Sequence, residues 1–504
     1  MNMAESVSPK LLKVHRMEKK QIHDIPKEER PAYHMSSPTG WINDPNGFSV
    51  FGGQYHLFFQ YHPFSKKWGP MHWGHCVSKD FIKWEYLPCA LAPDESYDKE
   101  GCFSGSAIEA DGEHVLIYTG VMDRYLDDGF HYYRQVQCMA KGDGIRYRKF
   151  AENPVITGES TPEGSSLEDF RDPKVWKEDD GFYLVVGSRA GDGSGQILMY
   201  RSEDLKQWEF VTILDKSENQ YGKMWECPDF FPLGPKQILM VSPQDMRAVG
   251  LEFHNGNNSI FICGQYDKES HRFTREKVIS ADYGLDFYAP QTMMTQDGRR
   301  ILIGWMQSWD ANITPVSFQW SGMMTIPREL TYEGGKIYQR PVRELEAYRR
   351  DKVQYDYVSV AQSTVLEGIR GRVLELLVEI TGFEFEHFRI RFAQNEDYET
   401  FVQYSRKKRC LTIDRTHSGI DRDVICRRKM ELAPMKEPGG GGEEDREVLK
   451  LRILLDKYSV EVFANDGEKV MSSLFYTPME ADGIVFDCEG EARISVTKYS
   501  FGGA

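Results

Sequence analysis

An octet early in the chain returns later with its pattern intact. Ser78-Lys-Asp-Phe-Ile-Lys-Trp-Glu85 is echoed by Ser202-Glu-Asp-Leu-Lys-Gln-Trp-Glu209, and both copies close a group of short β-rich segments. Those segments include Gln54–Tyr61, His114–Thr119, Gly181–Gly187, Lys236–Ser242 and Arg300–Trp305. Each is rich in β-branched or aromatic residues and is bounded by Gly, Pro, Asp or Asn, which is the pattern of a strand between turns. Repeated small sheets of this kind fit an all-β chain built as a β-propeller. The other reading of the octet is a chance echo of a common hairpin.

With 504 residues the chain exceeds one ordinary core, so two domains are expected. Residues 1–30 form an N-terminal extension in which Leu11, Leu12, Val14 and Met17 suit one short amphipathic helix. Residues 31–342 form the propeller. The run Arg-Glu-Leu-Glu-Ala-Tyr-Arg-Arg within 343–352 reads as a helical linker. Strands resume at Val353. Arg372–Ile380, His387–Phe392 and Leu449–Leu455 alternate with period two, so residues 353–504 read as a C-terminal β-sandwich. Gly439 to Gly442 read as a loop and not a phosphate cradle, because no helix pattern follows them.

The net charge of −15 disfavours nucleic acid and anionic membrane surfaces as partners, while leaving room for a local basic site. No apolar run is long enough to span a bilayer, and the first thirty residues have no apolar secretion core. The nine cysteines are scattered and form no CxxC pair, which points to a reducing, cytoplasmic setting and to Cys76, Cys89, Cys227 and Cys263 as small buried apolar residues. His62, His72 and His75 lie among aromatics without a carboxylate partner, so no metal is expected. Gly191-Asp-Gly-Ser-Gly195 lies between strands and reads as a hairpin turn, not a dinucleotide loop.

Three acids stand in unusual settings: Asp44 in Asn43-Asp44-Pro45-Asn46-Gly47, Asp172 in Arg171-Asp172-Pro173, and Glu226 in Trp225-Glu226-Cys227-Pro228. Trp41 stands just before Asp44, and an indole beside a carboxylate suits the carbon skeleton of a sugar. The Asn-Pro-Asn-Gly surroundings make a poor strand interior, so Asp44 is expected at the head of a turn. Separate blades would bring the three acids together near the propeller axis. Two carboxylates about 5–5.5 Å apart are the apparatus of retaining glycoside hydrolysis. Trp225 and Cys227-Pro228 would desolvate Glu226 and raise its pKa, which suits a general acid/base. Asn43 and Asn46 would keep Asp44 ionised as the nucleophile. Arg171 would keep Asp172 ionised as a group that binds sugar hydroxyls. Taken singly, each motif also has a structural reading: a turn, a surface ion pair, a half-buried acid.

Together the three motifs resemble those of glycoside hydrolase family 32, the β-fructofuranosidases, in order and setting. Further stretches agree: Phe59–Pro63, Trp68–His75, Phe103–Ala107, Asp286–Gln291 and, in the C-terminal part, Val460–Gly467. The resemblance implies a five-bladed β-propeller joined to a β-sandwich, with Asp44 as nucleophile, Asp172 as stabiliser and Glu226 as acid/base. It also implies that Asn43, Gln60, Trp68, Phe103, Ser104, Arg171 and Asp172 contact a fructosyl unit. Trp305 has two readings, a pocket wall or a core tryptophan at a strand end. The implied enzyme needs no cofactor. It acts on a small fructoside (sucrose, sucrose 6-phosphate or a short fructo-oligosaccharide), and it could be a homo-oligomer. A fructosyltransferase on the same site and an inactive fructan-binding protein are the alternatives.

Overall fold

The computed structural model describes residues 7–22, 24–125, 131–437 and 446–502. Gly439 to Gly442 lie outside the described residues. Five four-stranded antiparallel units follow one another along the chain, and their first strands are Gly40–Phe51, Gly101–Ala110, Phe170–Glu178, Trp225–Leu233 and Tyr288–Met294. These first strands adjoin in a ring, the fifth returning to the first, so they are the inner strands of a five-bladed propeller. The ring is latched where Trp320–Ser321, carried by blade five, pairs in parallel with Gly40 and Trp41 of blade one.

The five segments most legible as strands are all second strands of their blades: Gln54–His62, Glu113–Tyr125, Gly181–Arg189, Lys236–Pro243 and Arg300–Trp305. A second strand is paired on both edges and packed on both faces, so its sequence is a near-continuous apolar run. The cores lie between blades. Val115, Ile117 and Met139 of blade two pack with Leu184, Val186 and Leu198 of blade three, and Val185 and Ile197 of blade three pack with Leu239 and Ile262 of blade four.

The echoed octets are one structural device used twice. In both, the serine hydroxyl bonds the aspartate two residues on, the aspartate Oδ1 accepts two backbone N–H groups, and the apolar residue takes a positive φ (Phe81 65°, Leu205 66°). Each closes the turn into the outermost strand of its blade.

The helix Pro9–Gln21 starts at an N-cap, Ser8, and lies along the outer strand Trp84–Leu91 of blade one. There Glu18 accepts the N–H of Cys89 at 3.3 Å and His15 bonds the carbonyl of the same residue at 2.9 Å. Two side chains thus satisfy the edge that a neighbouring strand would otherwise fill.

The 343–352 segment departs from expectation. Only Arg343–Tyr348 is helical, as a 3-10 turn, and a strand runs from Arg349 to Val360. A helix this short is marginal, and Arg349 onward is captured by pairing with the last strand, Gly483–Phe501. That strand and Leu374–Gln394 are long ribbons bent by bulges near Gly382 and Glu386. Their two halves belong to two facing layers, with Leu376, Val378, Ile390, Phe392, Ile453, Val462 and Phe486 packed between them.

The sandwich grips the propeller through buried charge. Arg328 of blade five is fully buried and donates to Glu461 of the sandwich at 2.6 Å, with Asp282 at 3.0 Å. His34 lies between Asp456 at 2.8 Å and Glu461 at 3.0 Å. Arg415 reaches from the sandwich to Asp286, just before the inner strand of blade five.

Candidate active site

All five inner strands carry an irregularity at the same level, just inside their N-terminal ends. The ladder skips Asn43-Asp44, Ser104, Asp172-Pro173, Cys227-Pro228 and Ala289-Pro290. A bulge bends the strand and re-aims its side chains, and proline, with no N–H to give the ladder, is at home there. Asp44 is therefore inside a strand and not at the head of a turn. The bulge resolves the objection that its neighbours make a poor strand. At three of the five the backbone is left-handed: φ is 69° at Asp172, 48° at Cys227 and 51° at Ala289. Each of these N–H groups is caught by a side chain of the preceding blade: Asp172 by Thr119 Oγ1 (2.9 Å), Cys227 by Asp172 Oδ2 (2.9 Å) and Ala289 by Ser242 Oγ (3.1 Å). Strain of this kind is held at functional sites by surrounding contacts.

The bulges converge on one cup containing Asp44, Asp172 and Glu226. Asp44 accepts from Asn43 Nδ2 at 3.0 Å and from Ser104 Oγ at 2.6 Å. Trp41 in turn donates its indole N–H to Asn43 Oδ1 at 2.9 Å, fixing the amide that faces Asp44. Cys227 Sγ lies 3.4 Å from Asp44 and 3.6 Å from Asp172, so the thiol bridges the two carboxylates. Glu226 accepts from Arg171 Nε (2.9 Å), Gln244 Nε2 (2.9 Å) and Tyr288 Oη (2.7 Å).

Three expectations about this environment are overturned. Arg171 directs its donors to Glu226, to Asp169 at 2.8 Å and to Gln135 at 3.3 Å, not to its neighbour Asp172. The Asp172 pKa is raised to about 7, by burial first and then by the charge of Glu226, which outweigh the opposing Arg171. Asp44 is likewise raised, by burial and then by Glu226, against the hydrogen bonds from Ser104, Asn43 and Cys227. The apolar collar expected around Glu226 is absent, because successive side chains of a strand point to opposite faces. Trp225 packs between blades three and four with its indole N–H on the Tyr221 carbonyl, and Cys227 turns to the aspartates.

Of the remaining candidates, Gln60 is buried opposite the Asn43-Asp44 bulge and donates to the Cys102 carbonyl at 3.0 Å. Trp68 is half exposed and meets Phe103 edge-on at 6.1 Å, a wall beside Ser104. Trp305 is fully buried behind Trp41, at 5.7 Å and edge-on. Sequence reasoning missed Cys227 as a site residue, together with Tyr288, Gln244, Gln135 and Thr119. Cys227 and Tyr288 stood inside quoted stretches, Trp225–Pro228 and Asp286–Gln291, without being given a role.

Residues 34–341 match the glycosyl hydrolases family 32 N-terminal domain, and residues 344–500 match the family 32 C-terminal domain. The chain belongs to glycoside hydrolase family 32. It is 40% identical over 471 residues to a raffinose invertase of Escherichia coli, covering 92% of this chain and 93% of that one. It is 39% identical to a sucrose-6-phosphate hydrolase of the same organism, covering 89% and 90%. Among solved structures, a family 32 β-fructofuranosidase of Bombyx mori superposes with a TM-score of 0.83 at 33% identity, covering 97% of this chain and 98% of that one. The family 32 chain described here is thus a glycoside hydrolase built as a five-bladed propeller with a C-terminal sheet domain. No helix among its described residues is long and apolar enough to cross a membrane.

Proposed function

We propose that this family 32 glycoside hydrolase is a retaining exo-β-fructosidase, removing the terminal β-D-fructofuranosyl unit of sucrose, sucrose 6-phosphate or short fructo-oligosaccharides. One observation carries the reading: Asp44 and Asp172 meet on Cys227, and the charge of Glu226 acts on both. The names of the Escherichia coli relatives, and a sucrose complex of a mutant Bombyx mori enzyme, support the substrate class.

In this reading Asp44 attacks the fructosyl C2 while Glu226 protonates the departing oxygen. Glu226 then takes a proton from the water that releases fructose. Burial and the charge of Glu226 raise Asp172 to about 7, so Asp172 holds a proton part of the time near neutral pH. Fructosyl hydroxyls donating to Asp172 would favour its ionised form. Asn43, Ser104, Gln60 and Arg171 supply polar partners, and Trp41, Trp68 and Phe103 apolar surface. Eight of the nine cysteines are buried free thiols, which supports a reducing, cytoplasmic setting.

The test is the anomer released first. NMR of fresh product from sucrose should show β-fructofuranose before mutarotation, and inulin should yield fructose alone. Initial α-product would exclude retention, and internal fragments would exclude exo action.

A further inference from the structure

In a chain of net charge −15, a phosphorylated substrate needs a local cation. One stands where three elements meet beside the cup. The first is a hairpin of blade four. It rises from Gln244, whose side chain donates to Glu226 at 2.9 Å, and its base closes where the Asn258 N–H bonds the Pro243 carbonyl at 3.1 Å. Pro243 pairs with Trp225 at the bulged end of the inner strand, so the hairpin emerges on the side of the carboxylates. The second is the blade-five loop that carries Trp309 and Asp310. Asp310 accepts from Asn257 Nδ2 at 2.7 Å, joining this loop to the hairpin. The third is the sandwich strand Arg427–Glu431, which brings Arg428.

Arg428 is half-buried and makes no hydrogen bond or ion pair with any described residue, and its buried Nε has no partner. Burial disfavours its charge more than Asp310 and Asp286 restore it, and Arg415 adds to the penalty. The neighbouring cations are committed elsewhere. Arg415 donates to Asp286 and to the carbonyls of Leu474 and Ile425. Arg422 donates to the Asn312 carbonyl at 2.5 Å and to the Thr314 carbonyl at 2.9 Å, in the loop of Trp309. Lys66 donates to the carbonyls of Pro315, Val316 and Phe318. Arg428 alone keeps its planar fork of donors for a ligand. Facing it from the hairpin is His254, whose imidazole is held below its usual pKa by burial and then by the charge of Arg428. Its Nδ1 bonds the Asn255 carbonyl at 2.9 Å, so that nitrogen carries the proton and Nε2 is left for a second partner.

We propose that Arg428 and His254 form a phosphate site at this junction, and that the site takes the 6-phosphate of a departing glucose. The inference rests on the fructosidase reading, in which Glu226 protonates the leaving oxygen and the departing sugar therefore lies on the side of the hairpin. A phosphate monoester pairs with a guanidinium through two parallel hydrogen bonds, and its charge favours the protonated imidazole, which then donates from Nε2. Asp310, the acid beside the site, has both carboxylate oxygens bonded to Asn257. The sandwich thus selects the phosphorylated substrate without touching the reacting atoms.

The experiment measures kcat/KM of wild type and Arg428→Gln on sucrose 6-phosphate and on sucrose. Losing charge-assisted hydrogen bonds should lower the value for sucrose 6-phosphate about tenfold more than the value for sucrose, mainly through KM. Arg428→Lys, which keeps the charge as a single point, should recover part of the difference. Inorganic phosphate should compete with sucrose 6-phosphate and raise the melting temperature of the wild type above that in chloride of equal ionic strength, and Arg428→Gln should lose this rise. Equal losses on the two substrates would overturn the proposal. A melting shift that Arg428→Gln abolishes without any change in substrate preference would overturn the assignment to the substrate and leave a site for free phosphate. Wild-type protein that cleaves neither substrate would instead defeat the fructosidase reading, and the melting shift would still report on the phosphate site.

Discussion

Arg171 donates its Nε–H to Glu226 Oε1 across 2.9 Å, linking the inner strands of blades three and four. It is a cation in direct contact with one of the three carboxylates. Removing it makes every ionised form in the cup less favourable, so apparent pKa values must rise. Arg171→Gln should move both limbs of the pH profile of kcat/KM to higher pH. It should also lower the maximum by about 10- to 100-fold, the worth of a charge-assisted hydrogen bond. A profile that falls in height without moving would mean that Arg171 only binds substrate.

Asp44→Asn should reduce turnover of sucrose by several orders of magnitude while the fold persists. Burial and Glu226 raise the Asp44 pKa. A raised carboxyl pKa means that stability is present below the unfolded value and is lost as pH rises through the folded one. The amide removes that cost, so the variant should melt at the same temperature as wild type or higher at pH 7. Near-normal turnover would refute the assignment of Asp44.

Glu226→Gln should slow substrates with alkoxide leaving groups far more than aryl fructosides, whose departing oxygen needs little protonation. Initial rates on sucrose and on a nitrophenyl fructoside decide the matter. Equal slowing would show that Glu226 is not the acid.

Glu461 is fully buried and accepts from Arg328, His34 and the Ile326 N–H. Breaking such a network from one side strands buried charge, at a cost of roughly 3–5 kcal/mol. Glu461→Ala should therefore lower the melting temperature sharply in calorimetry or separate the two domains into distinct transitions. A change within error would show that the charge network adds nothing to domain docking.

Two histidine sites set opposite pH limits. His56 bonds His75 at 3.0 Å, and His114 bonds Ser49 and Tyr147, all between blades one and two. Burial pushes His56 down to about 4 and His114 down to about 3. Below about pH 6.5 the unfolded chain binds protons that these rings refuse, so stability falls as pH drops from 6.5 toward 4. His34 is the reverse case. Burial lowers its pKa, but Asp456 and Glu461 overcome that and raise it to about 9. Its contribution is complete below pH 6.5 and is lost as pH rises through 9. Melting temperature plotted against pH should fall on both sides, and His34→Gln should flatten the alkaline side.

Local chemistry made part of this molecule readable. The second strands of the blades are apolar, doubly paired segments whose β-preference needs no distant help, and all five were visible. The Ser-x-Asp octets mark a turn that closes on its own side chains. The inner strands were hard to see for the opposite reason. They carry the acids, the prolines and the bulges, so their sequence argues against strand at the very positions that matter.

The sequence by itself determined that the chain is all-β, that it is built from repeated short sheets, and that Asp44, Asp172 and Glu226 are its unusual acids. Only the tertiary structure decided what those acids meet: Arg171 on Glu226, Cys227 between the aspartates, and Trp309 held by a sandwich arginine. The division has one physical cause. Strand and turn preferences are written over a few residues, whereas each side chain's charge environment is set by partners on other blades. Those partners come together only when the ring closes and the sandwich docks.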